Sequence, residues 1–302
     1  MEPTPDFSGS ILKNGTIDLG LLERLSAPPS PFSTSGFNFW EDPYIADQLM
    51  ESFLDPMEHE PSRQEPYVSL TVEAIADAVR LKGPASASES EHYALLDLGS
   101  GAGQYDEAFA ERGFAVTGVD YCRPAVEHAR ESAGDLPIEY HLQDIRTFQP
   151  KRDHYAVVSI IYGTFGVLSP AEQSVVLERA REALLPGGLL VFDVFTDRYV
   201  RNVRIGDGWH PIPEGGFWQS DSHLTLARVH RYPQGVSLER NVVIGAAGSY
   251  RVFDSWWKSF TKDEIVDLVR AHRFTEVETY GSIWKAPLAP RSEWIGIYCR
   301  KP

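Results

Sequence analysis

The residues best suited to chemistry lie in the run Leu95-Leu96-Asp97-Leu98-Gly99-Ser100-Gly101-Ala102-Gly103-Gln104-Tyr105. An apolar segment that ends in a carboxylate and a glycine-rich turn, and then opens a helix, lets backbone approach a ligand closely and points helix N–H groups at it. A dinucleotide site has the same outline, so the turn alone does not choose a ligand. Two more carboxylates follow at the ends of the next two apolar segments, Asp120 after Val116-Thr117-Gly118-Val119 and Asp144 in Gln143-Asp144-Ile145. The first is placed to accept both hydroxyls of a ribose, which would suit a nicotinamide dinucleotide equally well. The second is placed to accept from an adenine amino group, with the neighbouring backbone of Gln143 and Ile145 beside the ring.

Gly99 to Gly103 has the compact GxGxG form, and Tyr105 and Asp106 stand where a pyrophosphate-type motif would need a further glycine. Together with the two later carboxylates, this points to S-adenosylmethionine. Residues from about Tyr93 to Thr196 resemble the core of the class I S-adenosylmethionine-dependent methyltransferases. The resemblance implies that Asp97, Gly99 and Gly101, with Ser100 between them, line the amino-acid end of the donor and that Asp120 holds the ribose. It implies too that Asp144 faces adenine with Tyr121 packed on the ring, and that Tyr162 sits near the donor methyl. S-adenosylhomocysteine would be the product. The implied fold is an α/β seven-stranded sheet in the order 3-2-1-4-5-7-6, its last strand antiparallel, with helices on both faces.

The elements that must position these residues can be read around them. Apolar strands at Ala94–Leu98, Ala115–Val119, Ile138–Gln143, Ala156–Ile161 and Leu189–Phe195 alternate with helices, the pattern of a parallel sheet covered on both sides. Ser169, Pro170 and Glu172 form a helix-start signal, and Thr261-Lys262-Asp263-Glu264 forms another. We divide the chain into an arm (1–36) expected to stay mobile until something docks on it, an N-terminal helical lid region (37–92), a donor-binding core (93–200), an antiparallel β insert over the active site (201–260) and a C-terminal part of the core sheet (261–302). Within the lid region, Val68, Val72, Ile75, Ala76 and Val79 recur at helical spacing, and Gly83 to Glu91 reads as a linker. Gly206 to Gly216 reads as a loop, and the insert strands are expected at Phe217–Arg231, Val236–Ile244 and Tyr250–Phe260.

Acceptor-side chemistry is harder to read. Aromatic residues cluster at Phe37, Phe39, Trp40 and Tyr44 and in the insert; Trp40, Tyr44, Trp218 and Trp256 are taken as substrate-binding. Methyl transfer is an in-line displacement, so alignment and exclusion of water matter most, and an oxygen or ammonium acceptor also needs a base. The candidates are His223, His210, Glu214 and Tyr162, with His223 and Tyr162 preferred as catalytic. His223 alternates with Asp221 and Thr225 on one face of an expected strand, opposite Trp218, Leu224 and Leu226.

Composition excludes several alternatives. With 28 basic and 43 acidic residues the net charge is −15, which argues against a footprint for the nucleic-acid backbone. The two cysteines, Cys122 and Cys299, show no metal or disulfide spacing. Tyr162-Gly163-Thr164-Phe165-Gly166 offers no hard ligands, and no metal is expected. No signal peptide or spanning segment is apparent, and the reading is a cytoplasmic monomer or homodimer without membrane partners. The function expected is N- or O-methylation of a small molecule in specialised metabolism. The alternatives are a donor-binding protein with a regulatory, rearrangement or cyclisation role, and an NAD-linked oxidoreductase. The latter would require a longer glycine motif and a suitably spaced Tyr/Lys pair, neither of which occurs.

Overall fold

A computed structural model of the chain describes residues 7–34, 37–38, 40–54, 66–84, 93–202 and 207–302. In chain order the elements are β1 (Ser8–Ser10), β2 (Leu12–Lys13), β3 (Thr16–Ile17), α1 (Leu19–Ser26), α2 (Pro43–Leu54) and α3 (Tyr67–Lys82). There follow β4 (Tyr93–Leu98), α4 (Gln104–Glu111), β5 (Phe114–Asp120), α5 (Arg123–Ser132), β6 (Ile138–Leu142), β7 (Tyr155–Ile160), α6 (Pro170–Ala183) and β8 (Leu184–Phe195). The chain continues through α7 (Asp197–Asn202), β9 (Gly208–Ile212), β10 (His223–Arg231), β11 (Val236–Gly245), β12 (Ser249–Lys258), α8 (Lys262–Ala271), β13 (Thr275–Tyr280) and β14 (Trp294–Arg300). These elements form two compact units, residues 50–200 with 259–302 and residues 1–49 with 201–258.

The larger unit is built on a seven-stranded sheet in the order β13-β14-β8-β7-β4-β5-β6. The run from β8 to β6 is parallel, whereas β14 pairs antiparallel with both β8 and β13. A parallel sheet must be covered on both faces, which is why β7 is buried at every position. Successive residues of β4 divide between the faces. Leu96 joins the core under α6 and α8, and Leu95 joins the core formed with α3 and α4. The stripe Val68, Val72, Ile75, Ala76 and Val79 of α3 packs into that second core, within the larger unit. Helices α6 and α8 both start from capping boxes, Ser169 with Glu172 and Thr261 with Glu264, in which side chain and backbone satisfy each other's free groups.

The smaller unit is a five-stranded antiparallel sheet in the order β1-β12-β11-β10-β9. One face carries Leu224, Leu226, Val242, Ile244 and Val252, covered by Ile11 and the α1 residues Leu21, Leu22 and Leu25. From residue 7 onward the arm is therefore docked: Ser8 to Ser10 add an edge strand to β12, and the buried Arg240–Asp254 pair donates onward to the carbonyls of Leu25 and Ala27. The insert differs from expectation at its start. Gly208–Ile212, expected in a loop, is a strand paired with β10, and Phe217 to Ser222 is not strand. The chain reverses there because Gly215, at φ 81°, brings its Cα so near the Ser220 carbonyl that a side chain could not fit, and Gly216 bridges Gln219.

Candidate active site

In the larger unit the carboxylates converge on the glycine turn at the carboxyl ends of β4 and β5. Gly99 and Ser100 both donate to the Val119 carbonyl, at 2.8 and 3.2 Å, which sets the turn against β5. Asp120, the last residue of β5, accepts the Gly101 N–H at 3.0 Å and the Cys122 N–H at 2.8 Å. Burial pushes its carboxyl above the ordinary range, while these backbone donors act in the opposite direction. Asp97 is buried at the end of β4 and accepts the Ser159 hydroxyl at 2.5 Å. Burial raises it to about 6, with Ser159 opposing and the negative charge of Asp120 adding to the rise.

The turn also has the shape and the free polar groups that a donor molecule needs. The space a side chain at Gly101 would enter holds no atom within 4 Å, and the Ser100 hydroxyl is buried without a hydrogen-bond partner. A cationic amino acid with a ribose fits an open turn flanked by two carboxylates and a free hydroxyl. Tyr121 follows Asp120 half-buried, Ile145 is buried, and exposed Gln143 donates its N–H to the Asp120 carbonyl at 2.9 Å.

Asp144 is more occupied than the sequence suggests. Arg146 reaches it through its own backbone N–H and through Nε and Nη2, at distances from 2.6 to 3.0 Å, and also bridges to Glu172 at 2.8 Å. Burial works against the charged form, but the hydrogen bonds and charge of Arg146 outweigh it and hold the Asp144 carboxyl below its usual range. Part of its accepting capacity is thus committed to fixing the loop after β6.

Tyr162 follows β7 at φ 68°, and Gly163 follows at φ 73°. Two consecutive left-handed residues need support, because a non-glycine residue there costs about 1–2 kcal/mol. Asp193, buried in β8, supplies it by accepting the Gly163 N–H at 2.7 Å. Burial lifts its pKa to about 7 against the opposing hydrogen bonds of Gly163 and Tyr162. The Tyr162 ring stacks on Trp294, 5.8 Å between centroids, and Trp294 in turn meets Phe195 and Tyr199. Asp193 and Trp294 escaped the sequence reading. The first lies inside an apolar strand, where an isolated Asp between Phe192 and Val194 was itself the available signal. The second reaches Tyr162 only through strand pairing, Trp294 opposite Phe195.

In the smaller unit His223 is buried on β10, with Nδ1 2.8 Å from the Asp221 carbonyl and Nε2 without a partner. A carbonyl beside Nδ1 requires the proton there, which leaves the Nε2 lone pair to accept one. Thr225 on the same face also has a buried, unpartnered hydroxyl. Trp218 stacks on Phe253 at 4.8 Å, and the register Ala227–Asn241–Phe253 sets Phe253 on the face of His223. Trp218 is therefore on the histidine's side and not opposite it, because strand alternation does not extend through the turn at 216–222. Tyr44 packs in the same cluster and donates to the Gly216 carbonyl at 2.9 Å. Trp40 lies in the turn before α2, its N–H on Asn38 at 3.2 Å, while Phe39 is outside the described residues.

Trp256 is not brought together with these groups. It occupies the opposite face of β12, where its indole N–H donates to the Ser33 carbonyl at 3.0 Å and its ring packs on Phe32 and Tyr232. His210 and Glu214 are exposed. Among the described residues no group of three or more His, Cys, Asp or Glu could hold a metal ion, and no helix is long and apolar enough to cross a membrane.

Similarity to known proteins falls on the same stretch of chain. Residues 95–188 match a family model described as a methyltransferase domain. Over 167 residues the chain is 29% identical to the dTDP-3-amino-3,4,6-trideoxy-alpha-D-glucopyranose N,N-dimethyltransferase of Streptomyces venezuelae, covering 51% of this chain and 67% of that one. Among solved structures, the CcbJ methyltransferase of Streptomyces caelestis superposes with a TM-score of 0.57 at 20% identity, over 77% of this chain and 96% of that one. The sugar N-methyltransferase KedS8 of a Streptoalloteichus species gives 0.53 at 16% identity, over 91% and 97%. The two structural likenesses speak for the fold. Together with the matched domain, they show a methyltransferase domain at residues 95–188, carried on an α/β fold like that of these two methyltransferases.

Proposed function

We propose that this enzyme methylates an amine on a small, sugar-like acceptor of specialised metabolism. The observation that carries the reading is the pairing of a donor-type glycine turn, open at Gly101 and flanked by Asp97 and Asp120, with a relative named as an amino-sugar N,N-dimethyltransferase. S-adenosylmethionine, when bound, supplies an activated methyl on a sulfonium. Asp97, Gly99, Ser100 and Gly101 would hold its amino-acid end, and Asp120 its ribose. Gln143, Asp144, Ile145 and Tyr121 would hold its adenine. Asp144 is the weakest of that set, given its engagement with Arg146.

For the acceptor we retain His223 as the base, since its Nε2 is buried, unpartnered and left with a lone pair by the contact at Nδ1. An ammonium must lose a proton before its nitrogen can attack, and the Nε2 lone pair is a group able to take it. Tyr44 and Trp218 share that histidine's side of the sheet and are proposed as acceptor walls. Trp256 is a packing residue of the arm. Tyr162 is proposed to border the reacting methyl, held by Asp193 and Trp294.

The test is transfer of labelled methyl from S-adenosylmethionine to panels of nucleotide-linked amino sugars, their hydroxyl counterparts and simple phenols. Label appearing on the amino sugars, with His223→Ala reducing turnover while leaving S-adenosylhomocysteine uptake intact, is the expected outcome. Transfer only to hydroxyl or phenol acceptors would overturn it.

A further inference from the structure

Beneath the glycine turn lies a polar cluster that the donor-binding residues do not account for. Asp106, in the first turn of α4, is fully buried and faces Asp97 of β4 and Tyr140 of β6. As a carboxylate it has no partner for either oxygen, and the Tyr140 hydroxyl has none either. The glycines around it allow this crowding. A side chain at Gly118 would lie 2.6 Å from Asp106 Oδ2, and one at Gly103 would lie 2.5 Å from the Tyr140 hydroxyl. The charged and titratable groups facing Asp106 are Asp97, Glu107 and Tyr140, and those facing Asp97 are Asp106 and Asp120, with Tyr105 nearby and Ser159 as its hydrogen-bond donor. None is a cation.

Two adjacent buried carboxyls with no cation between them cannot both carry charge, so one proton must be shared within the pair. Its place follows from the donors. Asp97 already receives the Ser159 hydroxyl at 2.5 Å and is stabilised as the anion, whereas Asp106 is faced only by the Tyr140 phenol, which makes no close hydrogen bond to it. A proton on Asp106 turns one of its oxygens into a donor aimed at Asp97 and leaves the other to accept from Tyr140, which satisfies all three orphaned atoms.

We propose that Asp106 is a neutral carboxylic acid whose O–H donates to Asp97, fixing the carboxylate that meets the donor's ammonium group. Asp106 is then a positioning residue, and its role rests on the reading of Asp97 as the donor's amino-end ligand. Burial raising both carboxyls, Asp97 to about 6 and Asp106 well above its ordinary value, agrees with this distribution.

The test is S-adenosylhomocysteine binding by calorimetry on the full chain from pH 5 to 8, with infrared spectra of the unliganded protein at pH 7. Wild type should lose binding on acidification as Asp97 takes up a proton. Asp106→Asn, which keeps a donor, should retain the wild-type midpoint. Asp106→Leu, which lacks one, should move it upward by about one pH unit. An Asn variant whose midpoint falls by a unit or more would mean that an ionised Asp106 had been removed, and a Leu variant with an unmoved midpoint would mean no hydrogen bond; either overturns the proposal. Independently of any ligand, and in an Asp193→Asn background so that the Asp193 carboxyl adds no signal, the infrared band of a protonated carboxyl should lose most of its intensity on adding Asp106→Asn, and an unchanged band contradicts the assignment. If that band weakens as expected but wild type takes up no S-adenosylhomocysteine, the donor-site reading fails while the neutral acid stands.

Discussion

The carboxylate of Asp120 accepts the backbone N–H of Gly101 at 3.0 Å, tying the end of β5 to the middle of the glycine turn. A turn held in this way does not have to be ordered when a ligand arrives, and preorganisation of this sort contributes to affinity. The same carboxylate retains lone pairs, which the proposed function assigns to a ribose.

Gly101 and Gly103 should respond differently to alanine. Gly103 has φ 88°, and a side chain there would meet the Tyr140 hydroxyl at 2.5 Å and the Ala129 side chain at 3.0 Å. Gly103→Ala should therefore lose about 2 kcal/mol or more of stability. Gly101→Ala enters open space at φ 55°, so it should cost only about 1 kcal/mol in folding, yet its methyl fills the space that the proposed donor would occupy. Denaturant unfolding beside S-adenosylhomocysteine titration separates the two, with binding by the folded Gly101→Ala protein expected to fall more than tenfold.

Asp193 should make stability depend on pH. Its folded pKa of about 7 lies above the ordinary 3.8, so between these values the folded state binds more protons than the unfolded state. Its contribution is greatest below pH 4, declines as pH rises towards 7 and is level above that. Asp193→Asn removes the titration, so the melting temperature of wild type relative to this variant should drop between pH 5 and pH 8. Parallel melting curves across that window would contradict the assignment. Asp193→Ala should also release the Tyr162–Gly163 turn, lowering kcat more than S-adenosylhomocysteine affinity.

The sequence shows some of this directly and hides the rest for identifiable reasons. The glycine turn, Asp97 and Asp120 were legible because strand end, turn and helix start are consecutive in the chain. The helix-start signals at Ser169 and Thr261 were legible because capping is local. The face on which Trp218 lies was not, since it depends on a reversal at Gly215–Gly216 that breaks the two-residue period. Trp256 looked like a pocket residue by type, but the Ser33 carbonyl that receives its indole is 223 residues away. Arg146 lies two residues from Asp144, yet no spacing rule said that it would curl back onto that carboxylate and not project into solvent.

The buried pair Arg240–Asp254 should govern the smaller unit. Both side chains are almost completely buried, and Arg240 meets Asp254 through Nε and Nη2 at 2.7 Å each. Arg240→Leu leaves a buried carboxylate without its cation and two arm carbonyls without a donor, a loss of about 3–5 kcal/mol. The double variant Arg240→Leu/Asp254→Leu should recover much of it. Urea unfolding of the three proteins checks this, and a double variant as unstable as the single one would show that the packing, and not the lost charge partner, is responsible.

Asp120 is the residue on which the proposed donor binding rests, and the decisive experiment is calorimetric titration of S-adenosylhomocysteine into wild type and Asp120→Ala at pH 7.5. Wild type should bind, and the variant should bind at least tenfold more weakly, because charge-assisted hydrogen bonds to a ribose are worth about 1.5–3 kcal/mol. A folded Asp120→Ala protein with wild-type affinity, or a wild type that binds nothing, would contradict the donor site described for this turn.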